Sequence, residues 1–354
     1  MGTNKQIMRV VICCDADPDR ERFGAPPLEG SHTFCWNGIE RGLPALLDSF
    51  STLKDDHGGE PRLTWLIRAD EQVRELEGAF DGAFLRHRAF WEECQSRGDE
   101  LAWHPHYWRM TQGLWQQERQ DAEWMLEMLK TSYGALNQHY EVDTVKTGWC
   151  YMDDATMETF RALGLQNDVS AMPFQRYEPR PQDGQAYFGA YNWSRAGYEP
   201  YRPAPGDYQQ SDMAKLRDDH GNGSLWEMPV TVGDSSLVTM LENAVLSLRR
   251  RQWPKRRAAQ RNISLKLSFH PFLFGRLWGN AWKRLREGEE PLVHFYFHPD
   301  ECLPEGRSAL RPYHLGHFKR NLNRVLADAR HLGFEVKFMT VQGYRREVLD
   351  RVHS

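Results

Sequence analysis

The sequence contains no long apolar run. Nothing in its 354 residues approaches the roughly 20 consecutive apolar positions of a membrane helix, so no transmembrane segment is expected. The first residues, MGTNKQIMRVVICCDAD, hold an apolar stretch over 7–14 that is broken by Arg9 and stopped by Asp15. A small-residue cleavage site is missing as well, which argues against a secretory signal and for a cytoplasmic protein. The six cysteines (Cys13, Cys14, Cys35, Cys94, Cys150 and Cys302) are scattered, with no CxxC pair. That pattern fits reduced thiols rather than a disulfide framework or a cysteine-type zinc site. Charge of one sign is also scarce. A formal net charge of -4 gives no general attraction to nucleic acid or to an anionic membrane, and no nucleic-acid partner is expected. No internal repeat is present, which excludes a solenoid.

What is present is the composition of a globular protein, with 40% hydrophobic and 27% charged residues. Tryptophan is abundant, at 13 residues alongside 13 tyrosines. Such rings serve both core packing and stacking on sugars. Strand-like runs alternate with helical patterns along the chain. Strands are predicted at 8–14, 62–67, 100–103, 143–148, 168–171, 225–232, 263–269, 292–297 and 335–340. Helices are predicted at 38–52, 71–96, 112–136, 154–163, 236–251, 272–286 and 312–332. About seven or eight of these strands, alternating with helices, predict an α/β fold with parallel strands, better matched to one barrel over 1–354 than to two domains. The rhythm breaks over about 172–224, a Pro-, Gly- and Tyr-rich segment too long for an ordinary connection and read as an insertion or lid. Its aromatics (Tyr177, Tyr187, Tyr191, Trp193, Tyr198, Tyr201 and Tyr208) could stack on a sugar or pack against the barrel.

Polar clusters sit at the predicted strand ends, where parallel α/β folds place their ligands. The first strand ends in Asp15-Ala16-Asp17, whose i, i+2 spacing puts both carboxylates on one face. Such a pair can supply a metal ligand and a general base, or merely cap a turn. A second strand ends in Trp103-His104-Pro105-His106-Tyr107-Trp108. His104 and His106 have the same spacing and can face one ion, since neutral imidazole is a common zinc ligand. A third ends in Phe297-His298-Pro299-Asp300, where His298 could act as a general acid or simply bond a loop. Lys146, with Trp149 close by, ends a fourth; a lysine there can orient a carboxylate or touch substrate. The run RRRQWPKRRAAQR over 249–261 could meet a phosphate backbone, an anionic lipid carrier or a nucleotide-sugar diphosphate, or be a solvated helix end.

Taken together, these segments resemble the polysaccharide deacetylase family, in the order that family uses. Asp15 and Asp17 are similar to its first motif, in the spaced form seen in lipid-linked aminoarabinose deformylases. Residues 100–108 resemble the second, which supplies two metal-binding histidines. Residues 145–149 and then 165–170, with its Asp168-x-Ser170 strand, look like the third. Leu225-Trp226-Glu227-Met228-Pro229 is similar to the fourth, and Phe297-His298-Pro299 to the fifth. The sequence departs from the family in three places. Its histidines are i, i+2 rather than the usual i, i+4. Lys146 stands where the family has arginine. Ala16 separates the two acids, so Asp15 and Asp17 could exchange roles. A second pair, His270-Pro271, competes with His298-Pro299.

The resemblance implies a distorted (β/α)7-type barrel and a metal-dependent hydrolase that removes an N-acyl group, acetyl or formyl, from an amino sugar. It implies Asp15 as base, His298 as acid, and Asp17, His104 and His106 as ligands of a divalent metal, zinc above others. Lys146, Trp149, Trp108 and Trp226 would contact a small or carrier-linked sugar substrate. Two rival readings stand beside it: a hydrolase of another linear or cyclic amide, and a non-catalytic carbohydrate-binding barrel.

Overall fold

The computed structural model describes residues 6–20, 33–178, 189–212, 225–234, 262–285, 291–303 and 314–352. Its central sheet contains β1 (Ile7–Ala16), β2 (Leu63–Arg68), β3 (Glu100–His104), β4 (Thr144–Val145), β5 (Asn167–Asp168), β6 (Trp226–Glu227), β7 (Leu292–Phe297) and β8 (Glu335–Met339). Every pairing in it is parallel, in the order β6-β5-β4-β3-β2-β1-β7, with β8 also on β1. β1 is the hub. Residues 9–14 pair with β7 along one edge, while the other edge is shared by β8 over 7–11 and β2 over 12–16. Between β6 and β7 the curled sheet is bridged by 228–231. There the Met228, Val230 and Thr231 N–H groups donate to the carbonyls of Asp168, Ala171 and His294. This is the expected α/β architecture, an incomplete barrel of the distorted (β/α)7 type.

Alternation along the strands decides what faces inward. On β1, Val10, Ile12, Cys14 and Ala16 pack outward into the large cluster under the helices. Val11 and Cys13 point into the barrel with Leu66, Ala102, Val169 and Met228. Each of the fully buried Val, Leu and Met side chains among them contributes about 1.5–3 kcal/mol. The bottom of the barrel is stopped by Val341, Tyr344, Val348 and Leu349. Continuing each inward row by two residues reaches Asp15 on β1, Arg68 on β2 and His104 on β3. The core therefore ends in a polar upper layer.

Before the last strand the α-helices among the described residues are α1 (Leu43–Phe50), α2 (Glu71–Glu77), α3 (Gly82–Arg86), α4 (Arg88–Ser96), α5 (Ala122–Asn137), α6 (Asp154–Ala162), α7 (Pro271–Leu285) and α8 (Leu315–His331). Asp70, Asp121 and Asp153 cap α2, α5 and α6 by accepting from backbone N–H groups of the first turn.

Several element predictions are corrected. The single helix over 71–96 is three short ones, because Gly78 adopts φ 88° and ends α2, and His87 leaves the helical region between α3 and α4. The helix over 112–136 begins only at Ala122. Before it, Trp108–Thr111 and Leu114–Gln117 form a hairpin whose tip, Gln112-Gly113, has positive φ at both residues. The strand over 263–269 shrinks to Asn262–Ser264, which pairs antiparallel with Val232–Asp234 outside the central sheet. Within 172–224 the described residues form two small hairpins, Gln175–Tyr177 with Tyr191–Trp193 and Pro203–Ala204 with Asp207–Ser211. Trp193 is buried there, its indole N–H donating to the Cys150 carbonyl at 2.8 Å and its ring meeting Tyr208 edge-on. Tyr187, the helix predicted at 236–251 and the basic run 249–261 lie outside the described residues.

Candidate metal centre

The mouth of the barrel gathers the polar strand ends. At the end of β1 the Asp17 N–H donates to the Asp15 carbonyl at 2.7 Å, a tight turn after which the Asp17 carboxylate meets the two histidines. Asp17 Oδ1 lies 3.3 Å from His106 Nε2, and Asp17 Oδ2 lies 3.8 Å from His104 Nε2. The two Nε2 atoms are 3.1 Å apart. Donor atoms of all three residues fall within 4.8 Å of one another, and all three residues are buried. Among the described residues, no other group of three or more His, Cys, Asp or Glu converges this way.

Proton placement tests whether a metal fits. His104 Nδ1 lies 2.6 Å from the Lys146 carbonyl, to which it donates, so its Nε2 keeps a free lone pair. His106 differs. Its Nδ1 accepts the Trp108 indole N–H at 2.9 Å, so the neutral ring carries its proton on Nε2, facing Asp17. Asp17 and His104 fit a divalent metal as they stand, and His106 joins them once the indole releases Nδ1. Gly148 makes the ring's position possible: a Cβ there would sit 2.2 Å from the His106 ring.

Electrostatics follow the same geometry. Burial raises the Asp17 carboxyl, but His106 and His104 outweigh it and hold the group well below its usual range. Burial, followed by the Arg68 charge, lowers His106 to about 4. Asp15 is also buried, yet Lys146, His104 and His298 leave it net lowered. Lys146 Nζ reaches Asp15 Oδ2 at 2.6 Å, while Asp15 Oδ1 has no hydrogen-bond partner among the described residues. His298 Nε2 stands 3.7 Å from Asp15 Oδ2 and 3.8 Å from Asp17 Oδ2. The structure thus brings Asp15, Asp17, His104, His106, Lys146 and His298 to one mouth.

The tryptophans sit differently from the expectation of substrate contact. Trp108 is 1% and Trp226 2% exposed, so touching substrate would require either to leave its packing. Trp108 instead holds His106, and Trp226 lies in the barrel interior under the Arg202 guanidinium. Trp149 is half-buried on a left-handed backbone (φ 54°), an unfavourable conformation for a bulky residue, of the kind that clusters at functional sites.

Sequence reasoning missed a second tier. Arg68 reaches Asp70 at 2.7 Å, Gln72 at 2.6 Å and Asp17 at 3.3 Å. Glu301, three residues after His298, holds that ring's Nδ1 at 3.1 Å. It also accepts from Lys266 at 2.6 Å, Ser268 at 2.5 Å and Arg20 at 3.1 Å. Lys266, His298 and Arg20 together keep this buried carboxylate well below its usual range despite burial. Tyr296 lies inside with the Lys146 and Lys266 ammoniums 3.6 and 4.5 Å from its ring centre. The signals were local: Arg68 ends a strand in the inward register, and Glu301 is the second of two acids that directly follow the His-Pro pair.

No known family's sequence profile matches the chain, and no curated protein sequence matches it. Among solved structures, a Mycobacterium smegmatis protein assigned as a polysaccharide deacetylase superposes with a TM-score of 0.50 at 14% identity, over 99% of this chain and 93% of that one. The chain shares that fold. Two further structures overlap less well. A 4-alpha-glucanotransferase from Thermococcus litoralis gives a TM-score of 0.40 at 11% identity, over 96% of this chain and 38% of that one. An alpha-amylase from Thermotoga maritima gives 0.41 at 10%, over 98% and 75%. Among the described residues, no helix is long and apolar enough to cross a membrane.

Proposed function

We propose that this protein is a metal-dependent hydrolase that removes an acetyl or formyl group from the nitrogen of an amino sugar, free or carrier-linked. The chain would act as one catalytic barrel, with 172–224 as its insertion. The observation that supports this reading is the buried Asp17–His104–His106 trio, faced by a second carboxylate and a third imidazole at the mouth of a deacetylase-type barrel.

Asp17, His104 and His106 would hold a divalent ion, with zinc favoured by a two-imidazole, one-carboxylate donor set. When bound, the ion supplies Lewis-acid polarisation of the acyl carbonyl and a water of lowered pKa. Asp15 takes the proton from the attacking water. Its Oδ2 is anchored by Lys146, and its partnerless Oδ1 is the oxygen left to accept. His298, oriented by Glu301 through Nδ1, presents Nε2 to the same space and protonates the departing amine. Lys146 and Arg68 fix the two carboxylates, so little reorganisation accompanies proton movement.

The test is metal content and turnover, measured together. Purified wild type should carry about one divalent ion per chain, in line with a single three-ligand site, and His104→Ala should lose it. The metal-loaded wild type should release acetate or formate from acylated amino sugars, whereas Asp15→Asn should retain the metal without turnover. A wild type that takes up no metal after reconstitution with zinc would refute the proposal.

A further inference from the structure

The pair His270-Pro271 is not used by the mechanism above, and the structure gives it neighbours. His270 immediately precedes α7, His314 is the N-cap of α8, and His317 lies in the first turn of α8. Both helices run antiparallel to the strands, so these ends lie at the mouth that holds His298. A hydrogen-bonded path joins them to it. His317 Nδ1 is 3.2 Å from the Ser268 carbonyl, Ser268 Oγ donates to Glu301, and Glu301 holds His298. The His317 ring centre is 5.3 Å from that of His270 and 5.5 Å from that of His314.

Two of the rings have their protons assigned by the backbone. His270 Nδ1 accepts the Phe272 N–H at 3.3 Å, and His314 Nδ1 accepts the Gly316 N–H at 3.0 Å. Each neutral ring therefore offers Nε2–H as a donor. The charged groups acting on His317 are His270 from the facing segment and His314 and Arg320 from its own helix and cap, all of one sign. His270, His314 and Arg320 are exposed, and among the described residues none of the four has an acidic partner. A cluster of donors and cations without a carboxylate is complementary to an oxyanion rather than to a metal, because ligation through Nε2 would break both backbone caps. Donors from three rings plus a guanidinium suit the several oxygens of a phosphate better than the two of a carboxylate.

We infer that His270, His314, His317 and Arg320 form a recognition site for a phosphate group borne by the substrate. That the substrate bears the phosphate rests on the proposed deacylase activity; the phosphate site itself does not. Titrating the wild type with inorganic phosphate, while following histidine ring resonances by NMR, tests it. The resonances of His270, His314 and His317 should shift together and saturate. Affinity should rise as pH falls below the ordinary imidazole range, because burial, helped by the His270, His314 and Arg320 charges, lowers His317, and bound phosphate favours its protonated form. His314→Gln and Arg320→Gln should each weaken binding about tenfold, the loss of one charge-assisted contact. Shifts that never saturate mean an adventitious ion only and overturn the inference, as would a double variant that binds as tightly as wild type. The titration requires no turnover. A protein that binds phosphate but deacylates nothing refutes the proposed function alone, and one that deacylates but ignores phosphate refutes this inference alone.

Discussion

Gly148→Ala offers a sharp test of the metal centre, because it moves one ligand without touching any donor atom. A Cβ at this position would lie 2.2–2.3 Å from Cγ, Cδ2 and Nδ1 of His106. Ordinary carbon contacts begin near 3.4 Å, so the ring must retreat by about 1 Å. The glycine backbone cannot easily yield instead, since its N–H is anchored to the Pro105 carbonyl at 2.7 Å. Metal sites tolerate ligand errors of about 0.2 Å, so a displacement several times larger should remove His106 from the coordination sphere. Overpacking of this kind costs about 1–3 kcal/mol of stability, and the fold should survive. The assay is competition for zinc against a chromophoric chelator, with circular dichroism as the folding control. Affinity should fall at least tenfold, toward that of His106→Ala. A folded Gly148→Ala protein that binds zinc as tightly as wild type would show that His106 is no ligand, and the proposed donor set would fail with it.

Three further outcomes are expected. Lys146→Met removes the charge that holds Asp15 low, so the acidic limb of the activity–pH profile should move to higher pH; stability should drop by about 3–5 kcal/mol, as for a buried pair that loses one partner. Trp108→Phe deletes the indole donor on His106 Nδ1, and zinc affinity measured by calorimetry should hold or rise; a fall would show that the indole supports the ligated ring. Asp168 and Glu227 are buried carboxyls within hydrogen-bond reach, and among the described residues neither Asp168 Oδ2 nor Glu227 Oε2 has another donor, so the pair must share a proton. Burial raises both, followed for Glu227 by the Asp168 charge; the folded state therefore binds more protons, and stability is lost as pH rises through the raised values. Asp168→Asn supplies a permanent donor and should raise the melting temperature more at alkaline than at acidic pH; an equal change at both would exclude the shared proton.

Much of the site could be read from the sequence because the barrel fixes it by local rules. Asp15, His104 and His298 each terminate an apolar strand run, and in a parallel barrel every strand end faces the same mouth. The i, i+2 spacings of Asp15 with Asp17 and of His104 with His106 hint at convergence, though the structure achieves it with a turn at Asp17 rather than with continued strand. Helix boundaries were less legible. The apolar spacing through 71–96 is continuous, and it is broken by the left-handed Gly78 and again by the non-helical backbone of His87. The 108–117 hairpin was hidden because its apolar residues also match a helical period.

By itself the sequence determined the strand–helix alternation, the inward register of β1 and the placement of the chemistry-bearing residues at strand ends. These depend on short-range periodicity and on one handed rule of assembly. Only the tertiary structure decided the partners: Lys146 on Asp15 across 131 positions, Glu301 beneath His298 with Lys266 and Arg20, and Trp108 on His106 opposite Gly148. The inward-facing strand ends carry more charge than water can reach. Each buried group must therefore find its counter-charge or donor on whichever strand the curl of the sheet brings alongside, and that neighbour is not encoded within any one segment.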